Sequence, residues 1–120
     1  MAQHNELGKK GEELACSELI RKGYQILDRN WRFGRDEIDI IARIGNDLVI
    51  VEVKARNSDF FGDPAEFVSR GKQKTLIRAA NAYVLERDLD VEVRFDVIGL
   101  VINKAGIKLE HIEAAFHPTW

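Results

Sequence analysis

One cysteine and two prolines in 120 residues exclude several ways of stapling or breaking a small chain. Cys16 has no internal disulfide partner, and one thiol cannot build a zinc cluster. Its place in a helical pattern makes it a small core residue. Pro64 and Pro118 fall in a connecting segment and near the C-terminus, so neither interrupts a periodic stretch. No apolar run reaches the length of a membrane span, and the polar start from Met1 to Glu6 lacks the apolar centre of a secretory signal. The expectation is a cytoplasmic protein with no membrane partner. The net charge of -2 leaves no broad excess of Lys and Arg for coating nucleic acid, although a local basic strip is compatible with it. No repeat, low-complexity tract or linker divides the chain. With 45% hydrophobic residues it suits one domain, 1–120, around a single core.

What is present centres on residues 37–54. Ile38 to Ile44 and Leu48 to Val53 are rich in β-branched residues, and Gly45-Asn46 between them fits a two-residue hairpin turn. That loop pairs Ile44 with Asp47, and counting back sets Asp39 opposite Glu52 on one face. Cross-strand carboxylates with Cβ atoms roughly 5 Å apart repel unless something neutralises them. A divalent cation would do so. Lys54, two residues beyond Glu52, shares its face. Magnesium takes oxygen ligands, with one or two protein carboxylates completed by water and phosphate, and a lysine there could orient a metal-bound water or stabilise a phosphate. The plainer alternative is an ion pair of Lys54 with Glu52 or Asp39.

Residues 5–22 read as a helix, with Leu7, Gly11, Leu14, Ala15 and Leu19 at spacings of three and four and Gly23 as the stop. Glu12 projects between Leu19 and Cys16, inside the apolar arc. Gly8 and Gly11 could let the helix approach the sheet, making Glu12 a third carboxylate; Glu18 competes for that part, and a margin position reaching water is the alternative. Tyr24 to Asn30 reads as a strand with Tyr24, Ile26 and Asp28 on one face and Gln25, Leu27 and Arg29 on the other. Trp31-Arg32-Phe33-Gly34-Arg35-Asp36 follows, and its interleaved aromatics and arginines suit either nucleic-acid contact or hairpin packing.

After Lys54, the polar segment Arg56 to Pro64 reads as a substrate-contacting loop, followed by a turn of helix at 65–68. A longer helix at Lys72 to Arg87 buries Leu76, Ile77, Ala80, Tyr83 and Val84. Arg70, Lys72, Lys74 and Arg78 gather at its start, where cations oppose the helix dipole, and suggest an anionic partner such as phosphate. Gln73 among them could reach the metal site or a base. Val91 to Ile102 and Ile107 to Ala115 read as two strands joined at 103–106. Asp96 is a polar residue on the face opposite Val97, either a supporting acid or edge polarity. His4, His111 and His117 show no metal-ligand spacing and receive no role.

The order is helix, three strands, helix, two strands. Gly8-Lys9-Lys10-Gly11-Glu12, Gly23-Tyr24-Gln25-Ile26-Leu27, Glu37-Ile38-Asp39-Ile40-Ile41-Ala42, Leu48 to Arg56, Lys72-Gln73 and Arg94-Phe95-Asp96-Val97-Ile98 together resemble the YraN family of small bacterial proteins. That family belongs to the PD-(D/E)xK nuclease superfamily and is similar to archaeal Holliday-junction resolvases. The resemblance implies an α/β fold with a restriction-endonuclease-like core, a mixed central sheet flanked by helices in the order α-β-β-β-α-β-β. It implies Asp39, Glu52 and the Val53 carbonyl as ligands of Mg2+ or Mn2+, Lys54 as catalytic lysine and Glu12 as the helix-borne acid. Lys72 or Gln73 would match an auxiliary position. Ile38 stands where the superfamily name has Pro, and Asp36 replaces the usual Gly, adding a negative charge close to the site.

The function these readings imply is a metal-dependent nuclease acting on DNA, branched or single-stranded, with Arg56, Arg70, Lys72, Gln73 and Lys74 as nucleic-acid contacts. A resolvase-like activity would favour a homodimer, because two symmetric cuts need two sites. The alternatives are a non-catalytic nucleic-acid-binding module and a protein-interaction domain on the same fold.

Overall fold

The computed structural model describes residues 5–58 and 68–118. Their order is α1 (Glu6–Arg21), β1 (Gln25–Phe33), β2 (Asp36–Ile44), β3 (Asp47–Arg56), α2 (Arg70–Arg87), β4 (Glu92–Asn103) and β5 (Gly106–Phe116). The strands form one mixed sheet in the order β1-β2-β3-β4-β5, antiparallel except for the parallel pair β3 and β4. A parallel pair needs a crossover, and α2 provides it. The expected substrate loop and the turn of helix at 65–68 lie outside the described residues, apart from 56–58 and the buried Val68.

The two helices lie on opposite faces because β3 alternates. Leu48 and Ile50 join Leu76, Ala79, Ala80 and Tyr83 of α2 in one core cluster, whereas Val49 and Val51 join Ala15, Cys16 and Leu19 of α1 in another. The single expected core is thus two layers divided by the sheet. Asn5 caps α1, its side chain accepting from the Gly8 amide at 2.7 Å. Beyond the last turn the Tyr24 amide reaches back to the Leu19 carbonyl at 2.9 Å, a closure that needs Gly23 at φ +95°. Helix α2 starts two residues before Lys72 because Ser69 accepts from the Lys72 amide at 3.1 Å and supplies the cap.

Strand β1 departs from simple alternation. Its pairing with β2 shifts between Ile26 and Asp28, so Leu27 is an extra residue in a bulge. The expected faces are corrected beyond it. Asp28 accepts from the Tyr83 hydroxyl of α2 at 2.7 Å, while Arg29 lies 3.7 Å from Glu12 of α1.

Gly11 sets the distance between α1 and the sheet. A Cβ built on it would stand 2.8 Å from the Ala55 Cβ, and neither atom is the end of a flexible side chain. Gly11→Ala should therefore lower stability by about 1–3 kcal/mol through overpacking, outweighing a gain of at most ~1 kcal/mol in helix propensity. Urea denaturation would check this; a variant as stable as the wild type would show that α1 does not need the close approach.

Candidate active site

Strands β2 and β3 pair from Ile44 and Asp47 down to Ile40 and Val51, the register that a Gly45-Asn46 turn dictates. Gly45 has φ +58°, the left-handed region open to glycine at this turn position. Regular pairing stops one rung before Asp39 and Glu52. The Asp39 carboxylate turns toward β3 instead, its Oδ2 accepting from the Val53 amide at 2.8 Å. This opens a fork between the strands.

A pocket of about 390 Å³ occupies the fork, lined by Glu12, Glu37, Asp39, Glu52, Val53, Lys54 and Arg56 together with the start of α1. Sequence reasoning brought Glu12, Asp39, Glu52 and Lys54 to one place, and the structure gathers them there. Glu12 is buried. The Asn30 amide nitrogen donates to its two carboxylate oxygens at 3.1 and 3.2 Å, and Arg29 lies alongside. Asn30 holds φ +52°, a conformation that Asn tolerates better than most residues. The Glu18 alternative is overturned: Glu18 pairs with Arg21 on its own helix at 2.8 Å.

Glu52 is 4% exposed. Its Oε2 lies 3.4 Å from the Lys54 ammonium and 3.8 Å from that of Lys72, while its buried Oε1 has no hydrogen-bond partner. Burial, and after it the Glu52 charge, push the Asp39 carboxyl well above the ordinary range, with the Val53 amide acting against them. Two ammoniums thus stand at Glu52 Oε2, and what is left unmet is its Oε1. Among the described residues no three His, Cys, Asp or Glu side chains are grouped to hold a metal ion. Asp39, Glu52 and main-chain oxygen would leave the other positions on magnesium to water and phosphate, the arrangement that ion favours. The buried, unpartnered Glu52 oxygen fits such an ion.

Helix α2 divides the cationic candidates. The Lys72 ammonium reaches Glu52 at 3.8 Å. Gln73 does not: its amide nitrogen donates to the Val68 carbonyl at 3.0 Å, so of its two expected reaches, to the metal site or to a base, the first is not made. Arg70, Gln73 and Lys74 line a separate cleft with Ile77, Arg78, Asn81 and His117. Asp36 does not stand as a bare negative charge by the site: Arg78 donates to its Oδ2 through Nε at 3.1 Å and Nη2 at 2.9 Å. Trp31 packs edge-on against Tyr83 of α2 with ring centroids 5.1 Å apart, a packing role taken against the helix, whereas Phe33 is exposed.

Sequence reasoning missed Asn30 and Arg29 as partners of Glu12, and His111 as a buried partner of Asp96. Asp96 is fully buried; it accepts from Arg94 at 2.9 Å twice, from the Ala114 amide at 3.0 Å, and bonds His111 Nε2 at 2.7 Å. His111 Nδ1 lies 2.7 Å from the Lys22 ammonium, which can only donate, so the His111 proton sits on Nε2 toward Asp96. Asp96 thus supports the edge strand β5 and takes no place in the pocket. An Asn, which tolerates the left-handed region, at the end of the strand expected from sequence was a usable signal for Asn30, although β1 runs on through it to Phe33; nothing local signals the His111 contact.

Fold and pocket define a mixed α/β domain whose acidic centre lies where two central strands part, with one helix-borne carboxylate beside it. The chain belongs to the uncharacterised protein family UPF0102 (YraN), whose family model matches residues 11–100. It is 54% identical over 116 residues to a UPF0102 protein of Christiangramia forsetii, covering 97% of this chain and 98% of that one. A UPF0102 protein of Flavobacterium psychrophilum is 51% identical over 117 residues, with 98% of both chains covered. Among solved structures, Pyrococcus furiosus SfsA in complex with Ca2+ is similar at 18% identity and a TM-score of 0.34, with 89% of this chain and 62% of that chain covered. Among the described residues no helix is long and apolar enough to cross a membrane.

Proposed function

We propose that the protein is a metal-dependent phosphodiesterase acting on nucleic acid, DNA in the first instance, with its active centre at the β2–β3 fork of a restriction-endonuclease-like core. The observation that carries this reading is the buried Glu52 Oε1 without a partner beside an Asp39 carboxyl that burial and Glu52 disfavour as an anion. A buried carboxylate oxygen without a partner costs stability, and a bound cation would satisfy it where the Lys54 and Lys72 ammoniums, both at Oε2, do not. Asp39, Glu52 and the Val53 carbonyl would hold magnesium or manganese, which supplies positive charge to a phosphate and lowers the pKa of a bound water.

The chain's own groups account for the rest. Lys54 stands at Glu52 and would orient the attacking water or bind a non-bridging phosphate oxygen. Lys72 brings a second ammonium from α2, and Arg56 lines the same pocket. Glu12, steadied by Asn30 and Arg29, would accept a hydrogen bond from that water.

Isothermal calorimetry should register manganese or magnesium binding. At a tenfold excess over its dissociation constant the ion should add about 1.4 kcal/mol to stability by mass action. Asp39→Asn, which keeps an acceptor for the Val53 amide, should abolish both the heat and the shift. Equal responses in wild type and variant would remove the metal from this pocket.

A further inference from the structure

The cleft beside α2 is separate from the acidic pocket and of opposite sign. It measures about 800 Å³ and is lined by Arg70, Gln73, Lys74, Ile77, Arg78, Asn81 and His117. No Asp or Glu is among these described lining residues, in a chain whose net charge is -2. The helix period explains the separation. At about 100° per residue, Arg70, Lys74, Arg78 and Asn81 recur on one outward stripe, whereas Lys72 stands about 200° from Arg70 and turns to Glu52.

We propose that this cleft is a binding groove for an unpaired nucleic-acid strand, holding a stretch of the substrate away from the bond being cut. The inference rests on the phosphodiesterase reading and extends it to the form of the substrate. Arg70 and Lys74 are exposed at the cleft, where backbone phosphates can reach them. Ile77, partly buried against the core, supplies an apolar floor, while Asn81 and the imidazole of His117 offer hydrogen-bond and ring contacts to a base. Base faces and Watson–Crick edges are accessible in an unpaired strand and hidden in a duplex, and a charged groove with base contacts is the usual way of holding single strands. A duplex would meet the rim alone.

The test is fluorescence anisotropy with a labelled oligothymidylate and a blunt duplex of equal length, in EDTA, across a salt series. The single strand should bind more tightly. Arg70→Ala with Lys74→Ala should weaken it and reduce the salt slope by about 1.4, two phosphate contacts at roughly 0.7 each. Lys74→Ala alone should take half of that, and the charge-keeping pair Arg70→Lys with Lys74→Arg should restore the slope. Thermal melts of each variant accompany the titrations. Equal affinity for the duplex, an unchanged slope in the double variant, or no binding of the strand would each overturn the groove. A parallel cleavage assay in manganese separates the two readings. Wild-type cutting with an unchanged slope in the double variant would sink the groove and leave the phosphodiesterase standing. A reduced slope without any cutting would do the reverse.

Discussion

Lys54→Ala is expected to lower cleavage of a branched or single-stranded DNA substrate by about 10²–10³-fold in magnesium or manganese, the usual loss when one preorganised stabiliser of transition-state charge is removed. Substrate affinity and the heat of metal binding should change little. The reason lies in the division of labour at the fork. On the proposed reading Asp39 and Glu52 would supply oxygens to the metal, whereas the Lys54 ammonium, 3.4 Å from Glu52 Oε2, would supply a charge that a module holding only metal and strand has no evident need of. A loss confined to kcat marks an interaction made in the transition state. Labelled forks, four-way junctions, flaps, duplexes and single strands should be assayed with matched thermal melts. Wild-type protein that binds several of these and cuts none would make the pocket a binding site. Undiminished cutting by both Lys54→Ala and Glu52→Ala would place the activity elsewhere.

Arg94→Leu should cost about 3 kcal/mol of stability, the lower end of what breaking a buried charge pair costs. Arg94 gives Asp96 two hydrogen bonds and also donates to the Tyr24 hydroxyl. Without it a fully buried carboxylate keeps only the Ala114 amide and His111. Burial alone would raise the Asp96 carboxyl, but hydrogen bonds from His111, Arg94 and Ala114 outweigh it and hold the group below its ordinary value. The sign follows. A carboxyl depressed in the folded state contributes stability above its unfolded pKa of about 3.9, and that contribution is lost as pH falls through the folded value. Urea denaturation across pH 3 to 7 should therefore show the gap between wild type and Arg94→Leu narrowing on the acid side. A gap that stays constant would exclude Asp96 as its cause.

Much of the candidate site was legible because its residues are close in sequence and obey short periods. The two-residue turn at Gly45-Asn46 sets the β2–β3 register, and the register brings Asp39 level with Glu52 and leaves Lys54 one repeat further on. The 3.6-residue period of α1 turned Glu12 inward, and Gly11 announced a close approach, though only packing showed Ala55 as the atom approached. The fork was less legible. An ordinary ladder would have continued past Ile40 and Val51, and its opening depends on Asp39 taking the Val53 amide for its own carboxylate.

By itself the sequence determined the order of elements, the hairpin that carries Asp39, Glu52 and Lys54, and the inward face of α1, since each follows from backbone geometry over a few neighbouring residues. Tertiary structure alone decided which way the basic start of α2 points, sending Lys72 to Glu52 and the Arg70–Lys74 stripe to a separate cleft. It alone moved Asp28 and Arg29 to their faces through the Leu27 bulge, and joined Lys22 to His111, 89 residues away. Those contacts arise from the sheet order, the β3–α2–β4 crossover and a local slip in strand pairing, none of which a period of two or of 3.6 encodes.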